Sequence, residues 1–214
     1  MAKFLIYLYC FLATVCAMIM VKPPQEQCDD DGNGGGEEEN KGCDKGWKRF
    51  ERPSGGWCIK IFFEDSIKQP AAEQKCQAVG ATLSGLQNQV ESLWATYTVT
   101  QHIAPATGSI WIGLKRREPC LKVGRTANCT AFTSFEWTDK SANGTDGLLW
   151  SCNQPDNAWS RTQECAVLLA GSTGYAIGWQ VATLDDVGCE FDFVEQNRHA
   201  RDPKAYLCGK KPTN

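Results

Sequence analysis

Ten of the chain's twelve cysteines lie beyond an apolar N-terminal run, and no other feature narrows the fold as much. They are Cys28, Cys43, Cys58, Cys76, Cys120, Cys129, Cys152, Cys165, Cys189 and Cys208. The other two, Cys10 and Cys16, sit inside the run from Phe4 to Met20 that follows Lys3. Val15-Cys16-Ala17 fits a signal-peptidase site, so residues 1–17 are expected to be a signal peptide. The run is at the lower edge of spanning length and nothing later approaches a span, so no membrane insertion is expected. An even, dense set of cysteines behind an export signal points to disulfides in a secreted, extracellular protein. A thiol metal site is a poor match, because no pair has C-x-x-C spacing and His102 and His199 lack partners at ligand spacing.

A length of 214 residues allows one large domain or two small ones. Residues 18–42 offer little to a core. Asp29-Asp30-Asp31 and Glu37-Glu38-Glu39 flank a cluster of glycines there, which reads as an acidic, glycine-rich linker. The stretch lacks the ligand spacing of an EF-hand. The formal net charge is −3, and outside the acidic patch the chain is close to neutral. With no basic stripe for phosphates, nucleic acid is not an expected partner. No Ser-His-Asp spacing, activated-cysteine context or glycine-rich phosphate loop is present, so the chain is not expected to be an enzyme.

The folded part is expected to run from Cys43 to residue 210. Trp47, Phe50, Trp57, Ile59 and Ile61 alternate around Pro53-Ser54-Gly55-Gly56, the pattern of a hairpin. Pro70 suits a first helical turn, good helix formers follow to Val79, and Gly80 is the stop. Ala72, Cys76 and Val79 share one face of that helix. A second helix is expected from Asn88 to Ile103, with Val90, Leu93, Trp94, Tyr97 and Gln101 at mostly helical spacing and Pro105 closing it. Short apolar strands are expected at Ile110–Leu114, Phe135–Trp137, Cys165–Leu169 and Tyr206–Cys208. Long loops rich in Gly, Asn, Asp and Trp separate them, and loops of this length in a compact domain are usually functional. The layout is α+β: two helices, then small antiparallel sheets with a long-loop region.

Seven motifs in order resemble the C-type lectin domain over residues 43 to about 210. Cys43…Gly46-Trp47…Trp57-Cys58 resembles the family's additional N-terminal hairpin. Ala72-Glu73…Cys76…Gly80-Ala81-Thr82-Leu83 resembles its first helix and exit. Trp111-Ile112-Gly113-Leu114 resembles its core strand. Phe135-Glu136-Trp137-Thr138-Asp139 with Trp150, then Gln154-Pro155-Asp156-Asn157, Glu164-Cys165 and Asp186…Cys189 complete the series. The resemblance implies a disulfide-stabilised C-type lectin fold with bridges Cys43–Cys58, Cys76–Cys208 and Cys165–Cys189. Cys120 and Cys129 close a short loop and are expected to pair. Cys28 and Cys152 remain. Either they pair with each other or Cys28 links two chains into a dimer.

In sugar-binding members a tripeptide, a glutamate and an Asn-Asp pair hold one calcium ion. Transferred by position, the ligands implied here are Gln154, Asp156, Gln163, Asp185 and Asp186, with Pro155 cis. Gln163 stands where the family has glutamate, Asp185 where it has asparagine, and Leu184 where it has tryptophan. Calcium takes six to eight oxygens in flexible geometry, so this donor set is compatible with it. A carboxylate only accepts hydrogen bonds while an amide both donates and accepts. The order of Gln154 and Asp156 is the one the family associates with galactose. Trp159 is a candidate for stacking on the sugar, one residue beyond the usual spacing, and Asp185 would complete the carbohydrate contacts. Asn143-Gly144-Thr145 and Asn128-Cys129-Thr130 match the N-glycosylation pattern. Two functions are therefore expected to compete. One is a secreted lectin that binds glycans or glycoproteins with calcium, in the manner of innate recognition proteins. The other is a calcium-independent protein-binding module on the same fold.

Overall fold

Alternate residues of the apolar strands fall into two separate cores, one on each face of a single sheet. The computed structural model describes residues 40–171, 180–191 and 201–213. The expected signal peptide and nearly all of the expected linker, Cys28 included, fall outside these residues. β1 (Lys48–Arg52) and β2 (Gly55–Phe63) form the first hairpin, with Gly55 at φ +105 leaving the turn. α1 (Gln69–Ala78) carries Pro70 in its first turn, where the missing N–H has no helical partner to lose. Gly80, at φ +69, takes the left-handed position after it. β3 (Thr82–Leu83) follows. α2 (Gln89–Ile103) is capped by Asn88, whose side chain accepts from Val90 N at 3.0 Å and Glu91 N at 3.2 Å.

The remaining elements are β4 (Thr107–Arg116), β5 (Phe135–Trp137), the helical turn α3 (Ala158–Arg161), β6 (Cys165–Gly171), β7 (Leu184–Val187) and β8 (Pro203–Lys210). The eight strands form one sheet of order β1-β2-β8-β4-β6-β7, with β3 also paired to β8 and β5 to β4. The pairs are antiparallel, as expected, except one. The last strand returns to the middle of the sheet, antiparallel to β2 and parallel to β4. β7 and β3 are strands that the apolar-run pattern missed. β7 is half acidic and β3 spans only two residues.

Successive strand side chains point to opposite faces. Ile110, Ile112 and Leu114 of β4 therefore join Ile59, Ile61, Leu168, Ala205 and Leu207 in one core, against Ala95 and Val99 of α2. Trp111, Val167, Leu169, Tyr206 and Cys208 form the other core, against Ala72 and Cys76 of α1. Burial on both faces explains the continuous apolar runs. Trp111 is fully buried, and its indole N–H donates to Ile67 O at 2.7 Å. Gly113 is required where the chain crosses Leu83, because a Cβ there would run into the Leu83 carbonyl. Disulfides join Cys43–Cys58, Cys76–Cys208, Cys120–Cys129 and Cys165–Cys189, and Cys152 is disulfide-bonded as well.

The helical faces are not those that apolar spacing suggests. Val90, Leu93 and Tyr97 of α2 are more than half exposed, while Glu91, Ser92, Ala95, Thr96 and Val99 are buried. Glu91 turns inward to pair with Arg52 at the end of β1, and Ala95 and Val99 on the same face pack into the core. On α1, Ala72 and Cys76 are buried, but Val79 lies beyond the last turn and is exposed.

Candidate functional site

The loop after Trp150 is shaped by hydrogen bonds to one carboxylate. Gln154–Pro155 is cis, and Asn157, Trp159, Ser160 and Arg161 all carry positive φ. Non-glycine residues in that region need support from their surroundings. Asp186 provides much of it. Its Oδ1 accepts from Asp156 N at 3.0 Å and its Oδ2 from Asn157 N at 2.8 Å. Arg116 Nη2 donates to the same Oδ2 at 2.5 Å. Arg116 Nε reaches Gln163 O at 2.8 Å, and its guanidinium lies 4.5 Å above the Phe135 ring. Gln163 Nε2 donates to Asp186 O at 2.5 Å, and its Oε1 accepts from Ala158 N. Asn157 Oδ1 accepts from Gln163 N at 3.0 Å, closing the circuit.

Four of the five residues expected to hold calcium therefore meet in one hydrogen-bonded corner. Gln154 belongs to it through its Oε1, which accepts from Asp156 N at 3.1 Å, and Asp156 Oδ1 accepts from Ala158 N at 3.0 Å. Asp185 is set apart from the other four. It neighbours Asp186 on β7, so the two side chains leave opposite faces of the strand. Asp185 Oδ2 forms a buried ion pair with Arg201 Nε at 2.5 Å. Leu184, in the place of the family's tryptophan, is fully buried against Leu168 and keeps β7 in register with β6.

Burial dominates the acid–base behaviour here. It pushes the Asp185 carboxyl up to about 7, against the pull of Arg201 and with the charge of Asp186 adding to the rise. It also raises Asp186, opposed first by the Asn157 N–H and then by Arg116, and it lowers Arg116, opposed by Asp186. Between the ordinary carboxylate range and about 7, folding takes up the Asp185 proton. The associated stability is complete at low pH and is lost as pH rises through about 7. Asp185→Asn is therefore expected to flatten the fall in melting temperature between pH 5 and pH 8, experimental settings on either side of about 7. Parallel melting curves for variant and wild type would refute it.

The donor set does not fit a calcium ion as it stands. Both Asp186 oxygens, the Gln163 and Gln154 amide oxygens and one Asp156 oxygen already accept protein hydrogen bonds. Among the described residues, no group of three or more His, Cys, Asp or Glu side chains could hold a metal ion. The motifs alone missed Arg116 and Arg201, and gave Asn157, a member of the tripeptide motif's extension, no role. Arg116 was within reach of the strand period, because it shares the face of Ile110, Ile112 and Leu114 and is buried with them. Nothing in the local sequence marks Arg201.

Trp159 is 74% exposed at the tip of this loop. Beside it lies a cavity of about 790 Å³ bordered by Gln163, Val187, Phe191 and Arg201.

A family model described as C-type lectin domain-containing protein 141/158 matches residues 49–211. The versican core proteins of Rattus norvegicus and Mus musculus are each 28% identical over 170 residues, 79% of this chain. The match spans only 5% and 4% of those relatives' own lengths. Human lithostathine superposes with a TM-score of 0.50 at 18% identity, over 79% of this chain and 99% of its own, a likeness of fold alone. Herring type II antifreeze protein superposes at 0.49 with 20% identity, over 80% of this chain and all of its own. With its motifs, two-sided sheet and matched residues accounted for, the chain belongs to the C-type lectin domain family.

Proposed function

We propose that this chain is a secreted recognition protein that binds glycans or glycoproteins through residues 153–163, with Trp159 as the contact platform. Domains of this family are generally binding modules rather than enzymes. The observation that carries the reading is the exposure of Trp159, 74%, on a left-handed turn whose neighbours are pinned to Asp186. Its indole is open to solvent next to the hydrogen-bonded corner, so its face is free to meet a ligand there. An indole face matches the apolar face of a sugar ring, while Asp156 and Gln154 supply acceptor and donor groups beside it. Galactose-terminated glycans are the first ligands to test, since the Gln154-Asp156 order favours them by resemblance. Asn143 and Asn128 are both exposed and are the N-glycan acceptors in this reading, which mass loss on enzymatic deglycosylation would register.

The test is a glycan array probed in calcium and again in chelator. Trp159→Ala is expected to lower retention about tenfold, the scale of one aromatic contact, with the melting temperature unchanged. Undiminished retention by the variant would remove Trp159 from the site. A second reading, a calcium-independent protein-binding module, is favoured by the cavity beside Trp159 and its apolar border of Val187 and Phe191. An array blank under both conditions would move the assignment there.

A further inference from the structure

We infer that Arg116 is a built-in cation of this corner, holding Asp186 by charge and hydrogen bond so that the loop is ordered without metal, while Arg201 pairs with Asp185 on the other face of β7. Asp186 is fully buried, and its two oxygens take three donors: Arg116 Nη2, Asp156 N and Asn157 N. Two of those donors are backbone N–H groups whose positive ends point at the carboxylate. That is a field suited to an anion and hostile to a second cation. Arg116 is only 7% exposed, fixed at Nε by Gln163 O and lying over Phe135, so it cannot swing aside without giving up all of these contacts. Asp185 is likewise fully buried and 2.5 Å from Arg201. The local charges agree. Asp156 and Asp186 both attract the Arg116 guanidinium, so the acids of the corner already face a fixed cation. Calcium needs six to eight oxygens, and here most of the candidate oxygens are already engaged.

This inference does not depend on the ligand being a sugar. Glycan retention tests the proposed function, whereas metal uptake and stability test the inference. Purified full-length protein would be melted in chelator and in calcium at about 5 mM, above the range of weak extracellular sites. The two melting temperatures are expected to agree within about 1 °C, whereas occupancy of a real site would raise the calcium curve by about 5 °C or more. A chelator-reversible rise above that agreement overturns the inference. Arg116→Met is expected to melt about 10 °C lower, because it strands a buried carboxylate, and to gain a calcium-dependent rise absent from wild type. Wild-type stability in Arg116→Met would equally overturn it. If the variant does not fold, calorimetric titration of wild type with calcium chloride decides the matter: no heat of binding supports the inference and saturable binding refutes it.

Discussion

Replacing Cys76 and Cys208 together by alanine is expected to lower stability by about 4 kcal/mol, the largest loss among the four bridges described. The bridge closes a loop of sequence separation 132, compared with 9 for Cys120–Cys129. Releasing a longer loop returns more entropy to the unfolded chain. It also ties α1 to β8, the strand that lies between β2 and β4, and both sulfurs are buried in the core beneath α1. The melting temperature should fall by about 10 °C, and the Cys120→Ala/Cys129→Ala pair should fall less. Equal denaturation midpoints for the Cys76→Ala/Cys208→Ala variant and wild type would contradict the argument.

Arg52→Met is expected to cost about 3–5 kcal/mol, the usual consequence of removing one partner from a buried ion pair. Arg52 forks onto Glu91, with Nε on Oε1 at 2.9 Å and Nη2 on Oε2 at 2.7 Å, while Nη1 reaches Asp139 at 2.9 Å. All three side chains are essentially inaccessible. Loss of the guanidinium strands two carboxylates with only backbone N–H partners: Gln87 N on Glu91, and Gly85, Ser141 and Ala142 N on Asp139. Glu91→Gln with Asp139→Asn, added to Arg52→Met, should recover much of the loss by removing the unpaired charges. A single variant within about 1 kcal/mol of wild type would show that the network carries little net stability.

Local chemistry was readable wherever a residue's role depends on near neighbours. Pro70 and Gly80 bracket α1, Asn88 starts α2, and the alternation from Trp47 to Ile61 marks the first hairpin. Strand period also places Arg116 on a buried face, in line with Ile110, Ile112 and Leu114. The acidic pair at 185 and 186 was the hardest to interpret. Two adjacent aspartates in a Gly- and Asp-rich stretch look like loop ligands, yet they occupy an edge strand that sends them to opposite sides.

Apolar period, turn residues and cysteine number were set by the chain itself, because each acts over a few residues or through the order of motifs along it. Tertiary structure alone decided which cation meets which carboxylate. Arg116 and Asp186 are separated by 70 positions. They meet only because β6 pairs with both β4 and β7, and low dielectric inside that sheet makes their pairing obligatory once both are buried.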